Sequence, residues 1–355
     1  MAVRTGWQMI GAQEMAPVCE EMGPLPEGYA RIRVAGCGVC HTDLGFFYDG
    51  VRTRHPLPLT LGHEISGFVE EGPEELVGQA VLVPAVIPCG QCVACREGVG
   101  GICGAQIFPG NDVQGGFADR VDVPAEGLCV VPGCTSADQP LGASGTTLRE
   151  LAVIADAVST PYQAVIHSGL RAGDTAVVVG CGGVGGYAVQ IARAFGANVI
   201  AIDVRAERLE AAAAAGALTL DAREPDLKKK VRALVKAKGW RADRWKIFET
   251  SGSTPGQATA WDLLGPGATL LVVGFTREAS TFRLSNLMAF DATARGVWGC
   301  LPEHYPAILL LVLDGKVDVR SQSELRPLAE LPSVFETLHH GGLPRRVVLV
   351  PPEPL

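Results

Sequence analysis

Charged and aromatic residues are both scarce in this chain, and positive charge is not in excess. Charged side chains make up 19% of the 355 residues, aromatic side chains make up 6%, and the formal net charge is -8. A nucleic acid requires a cationic surface, so we expect no such partner. Long apolar runs are also missing, because stretches such as 308–313 are far too short to span a bilayer. The N-terminus lacks the pattern of a secretory leader. We therefore expect a cytoplasmic protein that does not enter a membrane.

Cysteine is frequent, and its distribution is uneven. The chain has 11 cysteines, which in a cytosolic protein are expected to be metal ligands or thiols rather than disulfides. Four of them form the pattern C-x2-C-x2-C-x7-C: Cys89, Cys92, Cys95 and Cys103. Four thiolates on one loop can enclose Zn²⁺ with no open position, which predicts a structural zinc site. Four free thiols or an iron–sulfur cluster are the alternatives. The missing proline after Cys103 and the downstream dinucleotide motif favour zinc.

The length predicts two domains, and the pattern of apolar, Gly and Pro residues changes along the chain. Up to about Pro140, short Val/Ile/Leu runs between Gly and Pro predict a mostly β region. From Gly173 onward, strands and helices alternate, which predicts a doubly wound parallel sheet of the α/β class. The predicted strands are 30–35, 65–70, 80–86, 175–179, 198–202, 246–248, 269–273 and 346–350. The predicted helices are 184–195, 206–215 and 331–340.

A glycine-rich motif follows the strand 175–179 and opens the next helix. It has the pattern G-x-G-x-x-G, formed by Gly180, Gly182, Gly183, Val184 and Gly185. The glycines permit a tight turn and close approach of the backbone to a pyrophosphate, which the helix N-terminus then binds. Asp203 ends the next strand, where a carboxylate can accept hydrogen bonds from the ribose of NAD and repel the 2′-phosphate of NADP. Arg205 weakens the predicted preference for NAD, because an arginine at this position is often found in proteins that bind NADP. We predict NAD as the cofactor.

Cys40 and His63 are candidate ligands of a second, catalytic zinc. They lie in the segments G-C-G-V-C-H-T-D and G-H-E. A catalytic zinc needs three protein ligands and an open position, and thiolate and imidazole are its usual donors. A lone cysteine or histidine is more often a core or surface residue. The structural-zinc pattern and the dinucleotide motif in the same chain give the pair more weight.

These motifs, in this order, resemble the zinc-containing alcohol dehydrogenases of the medium-chain dehydrogenase/reductase family over essentially the full length. The resemblance implies a GroES-like catalytic domain, formed by residues 1–157 and 302–355 with the structural-zinc lobe at 89–103. A Rossmann domain formed by residues 158–301 would bind NAD. It also implies zinc-dependent transfer of a hydride from an alcohol to NAD, in a cleft between the domains. A homodimer or homotetramer is expected, with 295–300 as the candidate edge.

The resemblance also implies roles for individual residues. Cys40 and His63 would bind the catalytic zinc, Glu64 would approach the metal during ligand exchange, and Thr42 would accept the substrate's proton. His41 and Arg346 would contact the cofactor's phosphates. The chain departs from the pattern at two positions. Asp156 stands near the place of a third ligand cysteine, so we expect zinc bound by Cys40, His63, Asp156 and water. The alternative is that Asp156 caps a helix or lies behind the ligands. Gly45 replaces a histidine that passes protons to solvent in some relatives.

Three segments, 51–58, 83–88 and 109–116, are similar to the 6-hydroxycyclohex-1-ene-1-carbonyl-CoA dehydrogenases of anaerobic benzoyl-CoA breakdown. This similarity implies oxidation of a cyclic hydroxyacyl-CoA to the 6-oxo thioester. The phosphates of CoA require cations, and Arg52, Arg54 and His55 are the candidates, with a solvated loop as the alternative. Two other functions stay open. One is the same chemistry on aliphatic, benzylic or polyol alcohols, and the other is a zinc-free or noncatalytic binding protein with this fold.

Overall fold

The computed structural model describes residues 2–341 and 343–352 and divides the chain into two units. The first unit is made of Met1–Ser159 and Gly299–Leu355, and the second unit is Thr160–Trp298. The strands, in chain order, are β1 (Val3–Gly11), β2 (Glu14–Glu21), β3 (Tyr29–Gly38), β4 (Glu64–Glu71), β5 (Ala80–Val83), β6 (Arg120–Pro124), β7 (Cys129–Val130), β8 (Thr175–Val179), β9 (Asn198–Asp203), β10 (Leu218–Asp221), β11 (Lys246–Glu249), β12 (Thr269–Val272), β13 (Thr293–Gly296), β14 (Ser323–Pro327) and β15 (Arg346–Val350).

The helices connect these strands and begin or end close to the metal and dinucleotide motifs. In chain order they are α1 (His41–Phe47), α2 (Val93–Arg96), α3 (Leu148–Leu151), α4 (Ser159–Ser168), α5 (Gly185–Ala194), α6 (Ala206–Ala214), α7 (Leu227–Ala237), α8 (Thr254–Asp262), α9 (Ser285–Phe290), α10 (Tyr305–Leu313) and α11 (Leu331–His339). Short 3₁₀ turns cover Gly100–Ile102, Ala152–Ala155, Pro302–His304 and Leu328–Glu330. None of the helices in the described part of the chain is long and apolar enough to cross a membrane.

The first unit is built on a mostly antiparallel sheet in the order β14-β15-β3-β4-β5-β7, with β6 paired to β3. Strand β15 comes from the end of the chain and pairs antiparallel with β3. The last strand therefore joins a sheet whose other central strands lie in the first third of the sequence. Its core contains side chains from both parts, such as Ile32 of β3 and Leu349 of β15.

The second unit contains a parallel sheet in the order β10-β9-β8-β11-β12-β13. The strand order reverses at β8, so the carboxyl end of β8 is the place where such sheets bind dinucleotides. Strand β8 is buried at all five positions, as expected of a central parallel strand that is covered on both faces.

The structure confirms the predicted fold class, a parallel α/β sheet together with a mostly β unit. The predicted strands 175–179 and 346–350 have the observed bounds. The hairpin of β1 and β2 was not predicted, because its strands carry mixed polar and apolar side chains and are only partly buried.

Candidate metal centres and dinucleotide site

Three donors that are far apart in the sequence meet at one buried place in the first unit. Cys40 is the N-cap of α1, His63 precedes β4, and Asp156 follows the turn Ala152–Ala155. The Oδ2 atom of Asp156 lies 3.5 Å from the sulfur of Cys40 and 3.5 Å from Nε2 of His63. A tetrahedral zinc ion would place one sulfur and two lighter donors about 3.4–3.6 Å apart. The spacing therefore fits zinc.

The imidazole of His63 has the environment of a metal ligand. It is fully buried, and neither ring nitrogen makes a well-formed hydrogen bond to a described residue. Burial disfavours the charged ring, but Asp43, Asp156 and Cys40 outweigh it and hold the pKa of His63 well above its ordinary value. A buried polar atom without a partner is costly. A cation between these donors would satisfy Nε2 and the acidic groups together, so the residues fit a zinc ion.

Asp43 connects the segments that carry two of the donors. Its Oδ2 accepts a hydrogen bond of 2.9 Å from the backbone N–H of Cys40, and its Oδ1 accepts one of 3.2 Å from the N–H of Gly62. The same Oδ1 lies 3.3 Å from Nδ1 of His63. A carboxylate behind a metal-binding histidine fixes the orientation and tautomer of the ring. The sequence contained this residue in C-H-T-D, but the spacing alone did not reveal its role.

Glu64 follows His63 and forms a buried ion pair with Arg346 of β15. Its carboxylate lies within 4.8 Å of the donor atoms of Cys40, His63 and Asp156. The Nε atom of Arg346 donates to Oε2 of Glu64 at 2.7 Å, and Nη2 donates to Oε1. Burial raises the pKa of Glu64, and Arg346 acts in the opposite direction. The structure thus places the predicted phosphate contact directly against the predicted metal-approaching carboxylate.

The four sulfurs of the four-cysteine loop lie within 4.8 Å of one another. The sulfur of Cys92 lies 3.4 Å from that of Cys95 and 3.7 Å from that of Cys103, and the pairs 89–103 and 89–95 are 3.5 and 4.0 Å apart. Four sulfurs at 2.3 Å from a zinc ion would lie about 3.8 Å apart. Backbone N–H groups of Gln91 and Cys92 lower the pKa of Cys89 to about 6, whereas desolvation and the neighbouring thiols raise the pKa of Cys95 to about 12.

The glycine motif lies between β8 and α5 in the second unit. Gly180 has φ +89, and a Cβ there would lie 2.5 Å from the Cα of Ser251. A Cβ on Gly185 would lie 1.8 Å from the carbonyl oxygen of Gly180. Both positions therefore require glycine. Gly182, Gly183 and Val184 lie at the partly exposed start of α5, where backbone N–H groups are available to a phosphate.

Asp203 ends β9 next to this turn, and it is almost fully buried. Its Oδ2 accepts a hydrogen bond of 2.6 Å from the N–H of Cys181, and its Oδ1 accepts one of 2.9 Å from the N–H of Arg205. The side chain of Arg205 pairs with Glu207. Arg208, whose position no sequence motif indicated, lies 3.6 Å from Oδ2 of Asp203.

The remaining predicted residues lie on the surface of the first unit. His41 and Thr42 are exposed at the start of α1, and Oγ1 of Thr42 lies 3.7 Å from the sulfur of Cys40. Arg52 is exposed, while Arg54 forms a 3.2 Å ion pair with Asp112. His55 is partly buried, and its ring nitrogen Nδ1 lies 2.5 Å from the carbonyl oxygen of the next residue.

The segment with these cations is attached to a second loop that reaches the metal donors. Asn111 accepts hydrogen bonds from the backbone N–H groups of Arg54 and His55 at 3.1 and 2.7 Å. Three residues before Asn111, the ring of Phe108 packs on His63 with centroids 4.8 Å apart. Phe108 belongs to a small apolar cluster with Ala85, Val86 and Phe46. No motif in the sequence indicated that an aromatic ring would cover His63.

Comparison with known proteins identifies the family. Residues 26–133 match the alcohol dehydrogenase GroES-like domain, and residues 183–314 match the zinc-binding dehydrogenase domain. An alcohol dehydrogenase of Geobacillus stearothermophilus is 30% identical over 338 residues, covering 93% of this chain and 93% of the relative. The L-threonine 3-dehydrogenase of Bacillus subtilis is 30% identical over 347 residues, covering 92% and 93%.

The solved structures agree with this result. The alcohol dehydrogenase of the archaeon Aeropyrum pernix superimposes with a TM-score of 0.83 at 29% identity, covering 98% of this chain and 100% of that chain. The expected enzyme class, the zinc and the nicotinamide cofactor are thereby confirmed, and a zinc-free, noncatalytic role is not supported. The chain belongs to the family of zinc-binding medium-chain alcohol dehydrogenases.

Proposed function

We propose that this protein oxidises a secondary alcohol with NAD at a zinc ion bound by Cys40, His63 and Asp156. The observation that carries the proposal is the convergence of these donors around a buried imidazole without a well-formed hydrogen bond to a described residue. A second zinc ion would be bound by the four-cysteine loop in a purely structural role. Asp156 gives this site a harder donor set than a second cysteine would.

Bound zinc would supply the Lewis acidity that lowers the pKa of the substrate hydroxyl, and NAD would accept the hydride. Thr42 is exposed and close to Cys40, so its hydroxyl can receive the proton and pass it to solvent. Asp43 keeps the His63 ring in place, and the Phe108 ring excludes water from one side of it. The histidine of some relatives is replaced by Gly45, so the outer part of the proton path would run through Thr42 and water.

For the cofactor, we propose NAD rather than NADP. The buried carboxylate of Asp203 supports this choice, because it would accept hydrogen bonds from the ribose hydroxyls and repel a 2′-phosphate. The glycine turn and the start of α5 would bind the pyrophosphate. His41 and Arg346 are the proposed cationic contacts, and Arg346 would combine this role with its pairing to Glu64.

We propose a cyclic hydroxyacyl-CoA, 6-hydroxycyclohex-1-ene-1-carbonyl-CoA, as the substrate. The proposal is based on the sequence of three loop segments, 51–58, 83–88 and 109–116. The apolar cluster around Phe108 would accommodate a carbocyclic ring. The loop with Arg52, Arg54 and His55 is attached to the loop of Phe108, which would bring cations within reach of the CoA phosphates.

A simpler alcohol is the second candidate substrate, and the comparisons favour it. The relatives that match over the full chain include an alcohol dehydrogenase and L-threonine 3-dehydrogenases. Arg54 also forms an ion pair with Asp112, which makes its guanidinium less available to a phosphate.

Steady-state NADH formation on matched substrates separates the two candidates. We would compare the CoA ester with the corresponding free cyclohexenol and with L-threonine. For a CoA substrate, kcat/KM is expected to be at least about tenfold higher for the ester, since charge-assisted hydrogen bonds contribute about 1.5–3 kcal/mol. Arg52→Ala should remove part of this advantage through KM and leave the free alcohol unaffected. Equal kcat/KM values for ester and free alcohol would favour the simpler substrate.

We also propose a cytoplasmic homodimer or homotetramer. None of the eleven cysteines, all within the described residues, forms a disulfide, which suits a reducing compartment. Strand β13 is the last strand of its sheet, and its four residues are exposed. Nearby in the sequence, Leu284 and Met288 are also exposed. An exposed edge strand beside apolar side chains can pair with a second copy. Sedimentation of the purified protein would give the oligomeric state.

A further inference from the structure

The hydroxyl of Tyr305 is a buried hydrogen-bonding centre next to Asp156. Tyr305 is the first residue of α10 and has 0% exposure. Its hydroxyl donates to the carbonyl oxygen of Ala155. It also accepts a hydrogen bond from the backbone N–H of Ala85 at 3.2 Å, and it lies 3.4 Å from the hydroxyl of Ser159. A residue more than a hundred positions away is thus bonded to the peptide that leads into Asp156.

The carbonyl group of Ala155 is held by more than one donor. Besides Tyr305, the hydroxyl of Ser159 donates to it at 3.0 Å, and the N–H of Ala85 donates at 3.4 Å. At the next residue the chain leaves helical geometry, because Asp156 has φ -139 and ψ -56. The Asp156 side chain therefore extends from a backbone position whose preceding peptide plane is fixed.

The position of this carboxylate matters for zinc binding. Metal sites require ligand atoms within about 0.5 Å of the productive geometry, and groups behind the ligands provide this precision. Asp43 acts in this way on His63 and on the backbone of Cys40. Asp156 lies on a separate segment of the chain, directly after the turn Ala152–Ala155.

We propose that Tyr305 is a positioning residue that fixes Asp156 against the catalytic zinc. The inference rests on the proposed role of Asp156 as the third zinc ligand. Tyr305 takes no part in the chemistry. Its hydroxyl orients the Ala155 peptide, and this peptide determines where the Asp156 carboxylate can reach. The ring itself fills the core, so loss of the hydroxyl alone should loosen the ligand while leaving the fold intact.

The test is the variant Tyr305→Phe, compared with Tyr187→Phe, a similarly buried tyrosine of the second unit. Affinity for Zn²⁺ is measured by competition with a chelator, and the ligand geometry is read from the visible spectrum after exchange of the catalytic ion for Co²⁺. We expect Tyr305→Phe to weaken zinc binding at the catalytic site about 10–100-fold and to change the cobalt spectrum. The four-cysteine site and the Tyr187→Phe protein should be unaffected. Wild-type zinc affinity and spectrum in Tyr305→Phe would overturn the inference.

Asp156→Asn distinguishes failure of this inference from failure of the proposed site. A wild-type cobalt spectrum in Asp156→Asn would remove Asp156 from the ligand set and the role of Tyr305 with it. A changed spectrum in Asp156→Asn beside an unchanged one in Tyr305→Phe would overturn the inference about Tyr305 alone. If Tyr305→Phe does not fold, Ser159→Ala removes another donor to the same carbonyl. It should weaken zinc binding in the same direction but less, and wild-type affinity in folded Ser159→Ala would contradict the proposal.

Discussion

Arg346 and Glu64 form a buried ion pair across 282 positions of the sequence. Their side chains are 7% and 0% exposed, and two guanidinium nitrogens donate to the two carboxylate oxygens. Such fork-to-fork pairing is specific to arginine, because the planar guanidinium matches the carboxylate. The last strand of the first unit is thereby connected to the residue that follows a zinc ligand.

Arg346→Met should destabilise the protein strongly, because it removes the guanidinium that pairs with the buried Glu64 carboxylate. We expect the free energy of unfolding to fall by about 3–5 kcal/mol. Urea denaturation of the purified variant measures the change. The matched control is Arg345→Met, at an exposed neighbour, which should shift stability little. Addition of Glu64→Gln should recover part of the loss, and a mild effect of Arg346→Met alone would show that the pair is dispensable.

Cys40→Ala and His63→Ala should each remove one of two bound zinc ions and abolish NADH formation. The reason is that the remaining donors cannot hold the metal in an enclosed site. Metal analysis by atomic emission gives the zinc content per chain, and an activity assay gives turnover. Cys37→Ala is the control, since this buried cysteine lies outside the donor cluster. A variant that loses Cys40 but keeps two zinc ions and most of its activity would refute the assignment.

Cys95→Ser should release the other zinc ion and lower the thermal midpoint of unfolding while leaving the catalytic ligands unchanged. A structural zinc contributes directly to folding, and a loss of about 2–3 kcal/mol corresponds to roughly 3–4 °C in a protein of this size. Calorimetry with and without added Zn²⁺ measures the shift. Cys19→Ser, at an exposed cysteine outside the cluster, should behave like the wild type. An unchanged midpoint in Cys95→Ser would argue against a structural ion.

Asp203→Asn should reduce the preference for NAD over NADP. The substitution removes the negative charge that repels the 2′-phosphate and leaves Arg208 nearby to contact it. The ratio of kcat/KM for NADP to that for NAD is expected to rise about 10–100-fold, the effect of one charged hydrogen bond. Asp221→Asn, at the end of the adjacent strand β10, is the control and should leave the ratio unchanged. An unaltered ratio in Asp203→Asn would mean that other residues select the cofactor.

Glu249→Gln should stabilise the protein increasingly as the pH rises. Glu249 ends β11 with 1% exposure, and burial raises its pKa in spite of hydrogen bonds from Ser251 and Gly252. With a raised folded-state pKa, the favourable contribution of the protonated carboxyl is present below the unfolded-state pKa. It is lost as the pH rises through the folded-state pKa.

A glutamine side chain does not titrate in this range, so its contribution to stability does not change with pH. The thermal midpoint of Glu249→Gln should therefore match the wild type near about pH 5 and exceed it at about pH 8. Glu210→Gln, at an exposed position of α6, serves as the control. A difference that is constant with pH would show that the carboxyl is not perturbed in the folded protein.

The sequence predicted those features that depend on short-range spacing. The glycine motif, the four-cysteine loop and the buried strand β8 could all be located, because each depends on residues that are neighbours in the chain. Cys40 and His63 could be paired only because the other motifs and the family resemblance gave them context. Asp156 was selected by its distance from the S-T-P-Y segment, and the structure brings it to the same donors.

Features that depend on the folding of distant segments could not be predicted from the sequence. No spacing rule connects Glu64 with Arg346, or Ala155 with Tyr305, since each pair is joined only after the second unit has been traversed. Arg208 was missed because its proximity to Asp203 depends on the turn from β9 into α6. The ring of Phe108 on His63 depends in the same way on the path of a long loop.

The return of β15 to the first unit also affects biosynthesis. A ribosome completes Cys40, His63 and Asp156 before it begins the second unit, but Arg346 emerges only after the second unit is complete. Until then the nascent sheet lacks β15, and the Glu64 carboxylate has no partner for burial. Domains usually fold in the order of synthesis. Here the first part of the first unit must wait for β15, so a message truncated before β15 would yield a chain that cannot complete this sheet.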